Sequence, residues 1–596
     1  MTLNSSGNYS GAESRKVCGP IRLQKLTEES KQRQEVAREN SQEFQYRNSP
    51  NPVVPMSDID QIDTENNLNA ISQPLSFRFG MDDGLPIDEA TTIRIPAITF
   101  PNRSRNENSE TQNLERGEYI AHIRKLIKNL GIYSLSSLAS PLVSLILAPF
   151  LTRNLSHANY GALAVLNTAV ALLTGLTQLG LPTAFFRSYN YDYESQNDRF
   201  GVLSTTVALL SLMSIFTAIA TLIAAPWLSM LLFNNSSFII PVRFVGVVLL
   251  LQNLAVPGFA WLRAENRAAL FSALSIANLV VCIAANFILV GVLHMGISGS
   301  LIATGSGYAV VSICTLPLIL LRAGIRPRID IVQGLMSFGW PSVFTFLSIW
   351  VLQLSDRFLL ARLGSLAQTA SYAVAYSLGG VLSVVVLSPF TLAWPSTMFS
   401  IAKGDDAANI FRLVFRWYSI VLLFTAFGLS LASTIALELF FPPAYQAAAP
   451  IIPIIATSIM FYGVYITFMT GTYIRRKTWY AVVFTTTAAL ANVGLNIILI
   501  PLYGSVGAAV STLIAYVLLA LIGYVVNQRI YPVPYEIGLF VIGLLIGIAL
   551  YVAIGYLARN EGRYEVWGIY IGVLVLYGGS LAFLGRLPTR SQKNKS

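Results

Sequence analysis

The sequence predicts an all-α, polytopic membrane protein of about fourteen transmembrane helices behind a long polar N-terminal segment. Three observations predict it. Of the 596 residues, 54% are hydrophobic and only 12% charged, where a soluble domain carries about 25% charged residues. The apolar residues come in runs of about 20, the length a helix needs to cross a ~30 Å hydrocarbon core. The basic residues alternate between successive connections, as they do in a chain threaded back and forth through a bilayer.

Residues 1–115 are rich in Asn, Ser, Gln, Glu and Arg and show no sustained apolar period. Such a segment buries too little apolar surface to offset its ordering entropy, so a disordered cytoplasmic tail is expected. Residues 116–130 (RGEYIAHIRKLIKNL) read as a basic amphipathic helix on the membrane surface. The first hydrophobic run begins near residue 131, so its helix is expected to act as an uncleaved insertion signal. The runs then fall at 131–151, 158–180, 201–223, 238–260, 270–292, 297–321, 335–360, 370–397, 413–436, 448–472, 479–500, 505–526, 536–557 and 566–585. Pro141, Pro257, Pro389 and Pro453 lie inside runs and predict bends, because each removes a backbone donor. Residues 586–596 form a short basic tail.

With the N-terminal segment placed in the cytoplasm, the inner connections and C-terminus hold 21 Lys and Arg residues. The outer ones hold only Arg153, Arg362, Arg559 and Arg563. This positive-inside split orients the stack in the plasma (inner) membrane with both termini cytoplasmic. It also accounts for the net charge of +10 as topology and as a match to anionic lipid; no aromatic or basic motif supports nucleic acid as a partner.

An internal repeat divides the stack. Asn286-Phe-Ile-Leu-Val precedes Gly296-Ile-Ser-Gly299 and Thr304. Asn496-Ile-Ile-Leu-Ile precedes Gly504-Ser-Val-Gly507 and Thr512, about 210 residues later. Arg153…Tyr160 recurs loosely as Arg362…Tyr372. Six helices per copy make the copies parallel, as in two-lobed alternating-access transporters. The expected units are an N-lobe (131–321), a C-lobe (335–526) and two further helices (536–585).

Polar residues recur at helical spacing within the apolar runs. They are Tyr133, Ser137, Ser140 and Ser144 in the first; Asn167, Thr174 and Gln178, leading to Arg187, in the second; and Arg243 in the fourth. Trp350, Gln353 and Arg357, with Asp356 beside them, mark the seventh, and Tyr372, Tyr376, Ser383 and Trp394 the eighth. Ser458, Tyr462 and Tyr465 mark the tenth, and Thr485, Asn492 and Asn496 the eleventh. Two readings stand for them. One is interhelical hydrogen bonding, worth about 0.6 kcal/mol per bond, with Arg243 snorkelling to the headgroups. The other is a cavity of amides, hydroxyls, rings and cations suited to sugars and a pyrophosphate or acidic sugar. The cavity candidates are Asn167, Gln178, Arg187, Arg243, Trp350, Gln353, Arg357, Tyr372, Tyr376, Tyr462, Tyr465 and Asn492, with Asp356 as the ion-coupling candidate.

Enzymatic patterns are missing. The sequence holds no Walker A loop. His122, His157 and His294 are scattered, and Cys18, Cys282 and Cys314 have no metal or disulfide spacing. A transporter needing no cofactor is the expectation.

Three segments carry a family resemblance: LAPFLTRNLSHANYGALAVLNTAVALLTGLTQLGLPTAFFRSY (147–189), SFGWPSVFTFLSIWVLQLSDRFLLARLGSLAQTASYAVAY (337–376) and FPPAYQAAAPIIPIIATSIMFYGVYITFMTGTYIRRKTWYA (441–481). The chain resembles the polysaccharide-transporter, or oligosaccharide flippase (Wzx-like), branch of the multidrug/oligosaccharidyl-lipid/polysaccharide exporter superfamily over residues 120–585. The resemblance implies fourteen helices in two lobes around a central cavity, and passage of a polyprenyl-diphosphate-linked oligosaccharide between leaflets. A glycan polymerase or glycosyltransferases of the same pathway would be its partners, beside the lipid-linked substrate and membrane lipids. Arg187, Asp356 and Arg357 match the family's Gly-Leu…Arg-x-Tyr and Ser-Asp-Arg patterns. The rival readings are a cation-coupled multidrug antiporter or a lipid II flippase of the same superfamily, and a membrane glycosyltransferase or polymer ligase. The last would want a large outer loop that this chain lacks.

Overall fold

In the computed structural model the described residues are 145–193, 195–324, 326–404, 406–557 and 563–586. The polar segment 1–115, the surface helix 116–130, residues 131–144 with their Tyr and Ser stripe, and the basic tail beyond Arg586 lie outside them. Everything described belongs to the unit spanning Glu115–Ser596.

Among the described residues the chain is helical and has no strand, and twelve helices are long and apolar enough to cross a membrane. Helix α1 is the end of the first predicted run (145–154). Then come α2 (His157–Gln178), α3 (Gln196–Phe233), α4 (Ser236–Ala264), α5 (Ala268–Val292), α6 (Gly296–Ala323), α7 (Ile329–Leu363), α8 (Leu366–Pro395), α9 (Ala407–Phe440) and α10 (Ile451–Ile474). The next helical stretch, Trp479–Ile530, has 52 residues, ~78 Å if straight at 1.5 Å per residue. It is not straight. Gly504 sits at φ 56°, ψ −131°, a backbone shape that glycine adopts without a Cβ clash. Asn492 Nδ2 donates to Thr512 Oγ1 at 3.4 Å, although 20 residues of straight helix would put them ~30 Å apart. The chain therefore reverses at Gly504, giving α11 (479–503) and α12 (505–530). Helices α13 (Ile537–Leu557) and α14 (Tyr564–Arg586) complete fourteen.

The sequence repeat is also a structural one. Gly296, at the α5–α6 reversal, has φ +62°, as Gly504 has φ +56° at the α11–α12 reversal. A Cβ on Gly299 would meet the Leu289 carbonyl at 3.1 Å, and one on Gly507 would run into that of Leu499, so the second glycine of each copy lets the hairpin close. Asn286 and Asn496 are both fully buried. Ser156 caps α2 by accepting from Asn159 N at 3.2 Å, and Ser365 caps α8 by accepting from Gln368 N at 3.2 Å, the capping role short hydroxyl residues favour.

Helix α8 is not uniform. A π-helical turn at Ser383–Leu387 precedes Pro389, which has no N–H to offer the preceding turn, so the predicted bend at Pro389 takes the form of one looser turn.

The two halves meet along α2. At Gly161 its backbone approaches the Leu366 carbonyl of α8, and at its other end Gly180 lies against Gly339 and Ser342 of α7. His157 Nε2 is 3.1 Å from Ser371 Oγ, and its ring lies edge-on to Tyr445 at 4.4 Å. Helices α13 and α14 pack on α9. Glu536, just before α13, accepts from Arg412 Nε at 2.9 Å and lies 3.4 Å from Arg416 Nε; Arg416 Nη2 donates to the Leu584 carbonyl of α14 at 3.0 Å. Arg187, Arg199, Arg263, Arg267, Arg322 and Arg328 gather at one end of the first half through contacts among their connections. Arg153 reaches the Leu439 carbonyl at 3.4 Å near the opposite end.

Candidate functional site

The interior of the second half holds a connected polar cluster on four helices. Helix α7 supplies Asp356 and Arg357, adjacent in sequence, with Asp356 fully buried and Arg357 8% exposed. Arg357 Nη1 lies 3.4 Å from Asp356 Oδ1 and donates to the Gln353 carbonyl at 3.2 Å. From α8 the Tyr372 hydroxyl donates to Asp356 Oδ2. From α12 the Thr512 hydroxyl donates to the same oxygen at 3.4 Å. Thr512 in turn accepts from Asn492 of α11, and Asn496 donates to Asn492 at 3.0 Å. The carboxylate thus has a counter-ion and two hydroxyl donors, the company a buried charge requires.

The guanidinium is held by rings as well as by charge. Its carbon lies 4.3 Å from the Tyr376 ring centre and 5.8 Å from that of Tyr372, distances at which a cation is drawn to a π face. Arg357 Nη1 makes both of its hydrogen bonds among the described residues, which leaves Nε and Nη2 for another acceptor. More rings continue from this point. Tyr372 and Tyr376 lie 6.0 Å apart, Tyr462 and Tyr516 5.4 Å, and Tyr462 and Tyr465 6.1 Å. Helices α7 and α8, which carry Arg357 and Tyr372, both pack on α2, so the cluster borders the seam between the halves.

The first half carries a smaller, uncharged network. Gln178 Nε2 donates to Asn253 Oδ1 at 3.0 Å, and Thr174 Oγ1 donates to Gln252 Oε1 at 3.3 Å, tying α2 to α4.

Of the residues singled out in the sequence, the structure brings Asp356, Arg357, Tyr372, Tyr376 and Asn492 into the cluster, with the Gln353 backbone. Tyr462 and Tyr465 join its aromatic margin. Trp350 is buried one helical turn and more before it, its ring 5.6 Å from Phe358. Gln178 belongs to the other network. Asn167 and Arg243 are exposed and lie outside both. Arg187 is exposed, pairs with Asp192 at 3.5 Å and lies over Phe338 at 4.7 Å, in the α2–α3 connection rather than in the cluster.

Several participants were not singled out. Thr512 appeared only as a repeat marker, and Asn496 as a repeat marker and part of a stripe. Gln252 and Asn253, adjacent on α4, offered two amides in an apolar run as their signal. Tyr189, between α2 and α3, donates its hydroxyl to Glu265 Oε1; burial and then this hydrogen bond push the phenol well above its usual range. Among the described residues no group of three His, Cys, Asp or Glu could hold a metal ion.

Residues 126–401 match the family model described as polysaccharide biosynthesis protein. A comparison with curated proteins finds no match. Among solved structures the chain is similar to the lipid II flippase MurJ in an inward closed conformation, at 17% identity and a TM-score of 0.59, covering 75% of this chain and 98% of that one. It is also similar to an inward-facing multidrug resistance MATE family transporter of the MOP superfamily, at 13% identity and a TM-score of 0.54, covering 66% and 94%. At these identities the likeness is one of fold.

Proposed function

We propose, from the match of residues 126–401 to the polysaccharide biosynthesis protein family model, that the chain is a membrane flippase, a secondary transporter carrying a polyprenyl-diphosphate-linked oligosaccharide across the plasma membrane. The work is transport and not bond-making catalysis. The two repeats, 131–321 and 335–526, rock about the seam marked by α2, and the sugar–diphosphate head enters between them while the lipid tail stays in the bilayer. The arginine-rich end of the first half faces the cytoplasm, where both termini lie.

The observation that supports this reading is Arg357. Its charge is held by Asp356, its plane by Tyr376, and two of its nitrogens stay free beside a row of tyrosines. A guanidinium presented this way suits a diphosphate oxygen, and tyrosine faces suit sugar rings. Substrate can drive the rocking only by binding the two states differently. Drawing Arg357 toward a diphosphate loosens its pair with Asp356 and so alters a contact that joins α7, α8 and α12. The same acidic residue supports a second reading, cation-coupled antiport, in which Asp356 exchanges its counter-ion for a proton or metal cation.

The test is transport of a fluorescent lipid-linked oligosaccharide by full-length protein in proteoliposomes. R357A is expected to abolish transport and R357K to retain a fraction of it, because a lysine keeps the charge but not the planar fork. R187A, which removes an exposed ion-paired side chain, is expected to transport nearly normally. Undiminished transport by R357A at wild-type protein levels would remove Arg357 from the mechanism.

A further inference from the structure

We infer that Arg267 and Arg322 form, against the ring of Trp261, a binding site for a phosphate group at the membrane surface, separate from the Asp356–Arg357 cluster. Arg267 is the residue before the first helical position of α5, and Arg322 lies in the last turn of α6. Each guanidinium carbon is 5.5 Å from the same indole ring, that of Trp261 near the end of α4. Trp261 is 2% exposed. Arg322 is exposed and Arg267 half-buried, so the ring is covered by cations whose outer edges stay accessible.

The charges around them single this pair out. Arg328, at the same end of the bundle, is held by Asp198 at 2.5 Å and by Asp330 at 2.7 Å, and Arg187 pairs with Asp192. Neither Arg267 nor Arg322 takes part in a salt bridge among the described residues. The carboxylate in the α4–α5 connection, Glu265, is taken by the Tyr189 hydroxyl instead. Two like charges therefore converge on one ring without a salt-bridge partner among the described residues. A guanidinium stacked on an aromatic face keeps its N–H donors pointing outward in its own plane. Two such groups, fixed before any ligand arrives, offer bidentate donors to one tetrahedral anion. The α5 N-terminus beside them has no side-chain cap and adds unpaired N–H groups of the same polarity. The site lies where three spanning helices end, the level at which lipid phosphates sit. A bilayer phospholipid and the diphosphate of a lipid-linked sugar share the required chemistry.

Purified full-length protein in detergent micelles is titrated with short-chain phosphatidylglycerol, with diacylglycerol and with inorganic pyrophosphate, following the melting temperature and the lipid retained in native mass spectra. Phosphatidylglycerol is expected to raise the melting temperature saturably and diacylglycerol to leave it unmoved. R322Q, at an exposed position, is expected to raise the half-saturating concentration about tenfold or more, the scale of one charge-assisted contact, and R267Q to do the same. R326Q removes an equal charge from the same connection without a ring contact and is expected to bind as the wild type does. Pyrophosphate that displaces the lipid marks a headgroup site open to soluble diphosphates; pyrophosphate without effect marks bilayer phospholipid as the ligand, and either supports the site. Equal losses in R322Q and R326Q, or an equal response to diacylglycerol, would overturn it by reducing the effect to general surface charge or hydrophobic contact.

Discussion

Removing the Asp356 carboxylate is expected to be among the most damaging single changes in the second half. D356A leaves Arg357, only 8% exposed, without its counter-ion, and an uncompensated buried charge costs about 3–5 kcal/mol. The Tyr372 hydroxyl loses its acceptor as well, a further penalty of about 1–3 kcal/mol in isolation. Thr512 Oγ1, 3.5 Å from that hydroxyl, recovers part of it, so the two costs overlap and the net stays near the first figure. At roughly 2 °C per kcal/mol, the scale of a domain of a few hundred residues, the melting temperature in lipid nanodiscs should fall by roughly 6–10 °C. The double variant D356A/R357M removes the stranded cation too and should recover a substantial part of that loss, a coupling of at least about 1 kcal/mol in a double-mutant cycle. A D356A melting within about 2 °C of wild type, or a double variant whose loss equals the sum of the two single losses, would refute the reasoning.

Three other outcomes follow from the same geometry. G504A should destabilise the α11–α12 hairpin by about 1–2 kcal/mol, because a Cβ is disfavoured at positive φ and would lie 2.6 Å from Gln368 Nε2. G494A, whose Cβ would meet nothing within 4 Å, serves as the neutral control in the same thermal assay. E536Q should weaken the hold of Arg412 and Arg416 on the segment before α13 and speed hydrogen exchange in α13 and α14 relative to α9; unchanged exchange would show that apolar contact alone holds them. Y189F should cost about 1–3 kcal/mol through the lost bond to Glu265, with a defined pH dependence. The folded phenol titrates above its unfolded value near 10, so its contribution is fully present below pH 10 and is lost only as pH rises through the folded value. The wild-type-minus-Y189F difference should stay flat from about pH 6 to 9, and a decline within that window would contradict the assignment.

Much of the architecture was legible because bilayer thickness acts on sequence one helix at a time. Runs of about 20 apolar residues and the alternation of arginines give the helices and their order with no tertiary knowledge. The reversal at Gly504 was readable for the same reason: the glycine-bounded break between 479–500 and 505–526 falls where the backbone turns, although helical hydrogen bonding runs on through it. The site was legible only in part. Periodicity places Asp356, Arg357, Tyr372 and Tyr376 on interior-facing stripes, but a stripe does not say which neighbour it meets. Thr512 becomes a ligand of Asp356 through the packing of α7 on α12, 156 positions away. Arg187 looked like a cavity residue because it continues the Asn167–Gln178 stripe. The helix ends at Gln178, the backbone turns left-handed at Leu179 and Gly180, and the periodicity no longer applies.

The π-helical turn at Ser383–Leu387 places a spare residue inside α8. Before it, Tyr372 and Tyr376 serve the acidic residue of α7; after it, Phe390 stacks on Tyr418 at 3.8 Å and on Trp394 at 5.0 Å. Such a turn holds one residue more than a regular α-turn would, and Val385 within it is 59% exposed. Deleting that residue would restore a regular helix and leave everything beyond it in nearly the same rotational phase, because the wider turn absorbs the extra residue, so the Phe390 stack and the tyrosines upstream should both stay in place. Helix α8 in this sense stores a spare residue as a bulge, and the stretches on either side of it stay in step.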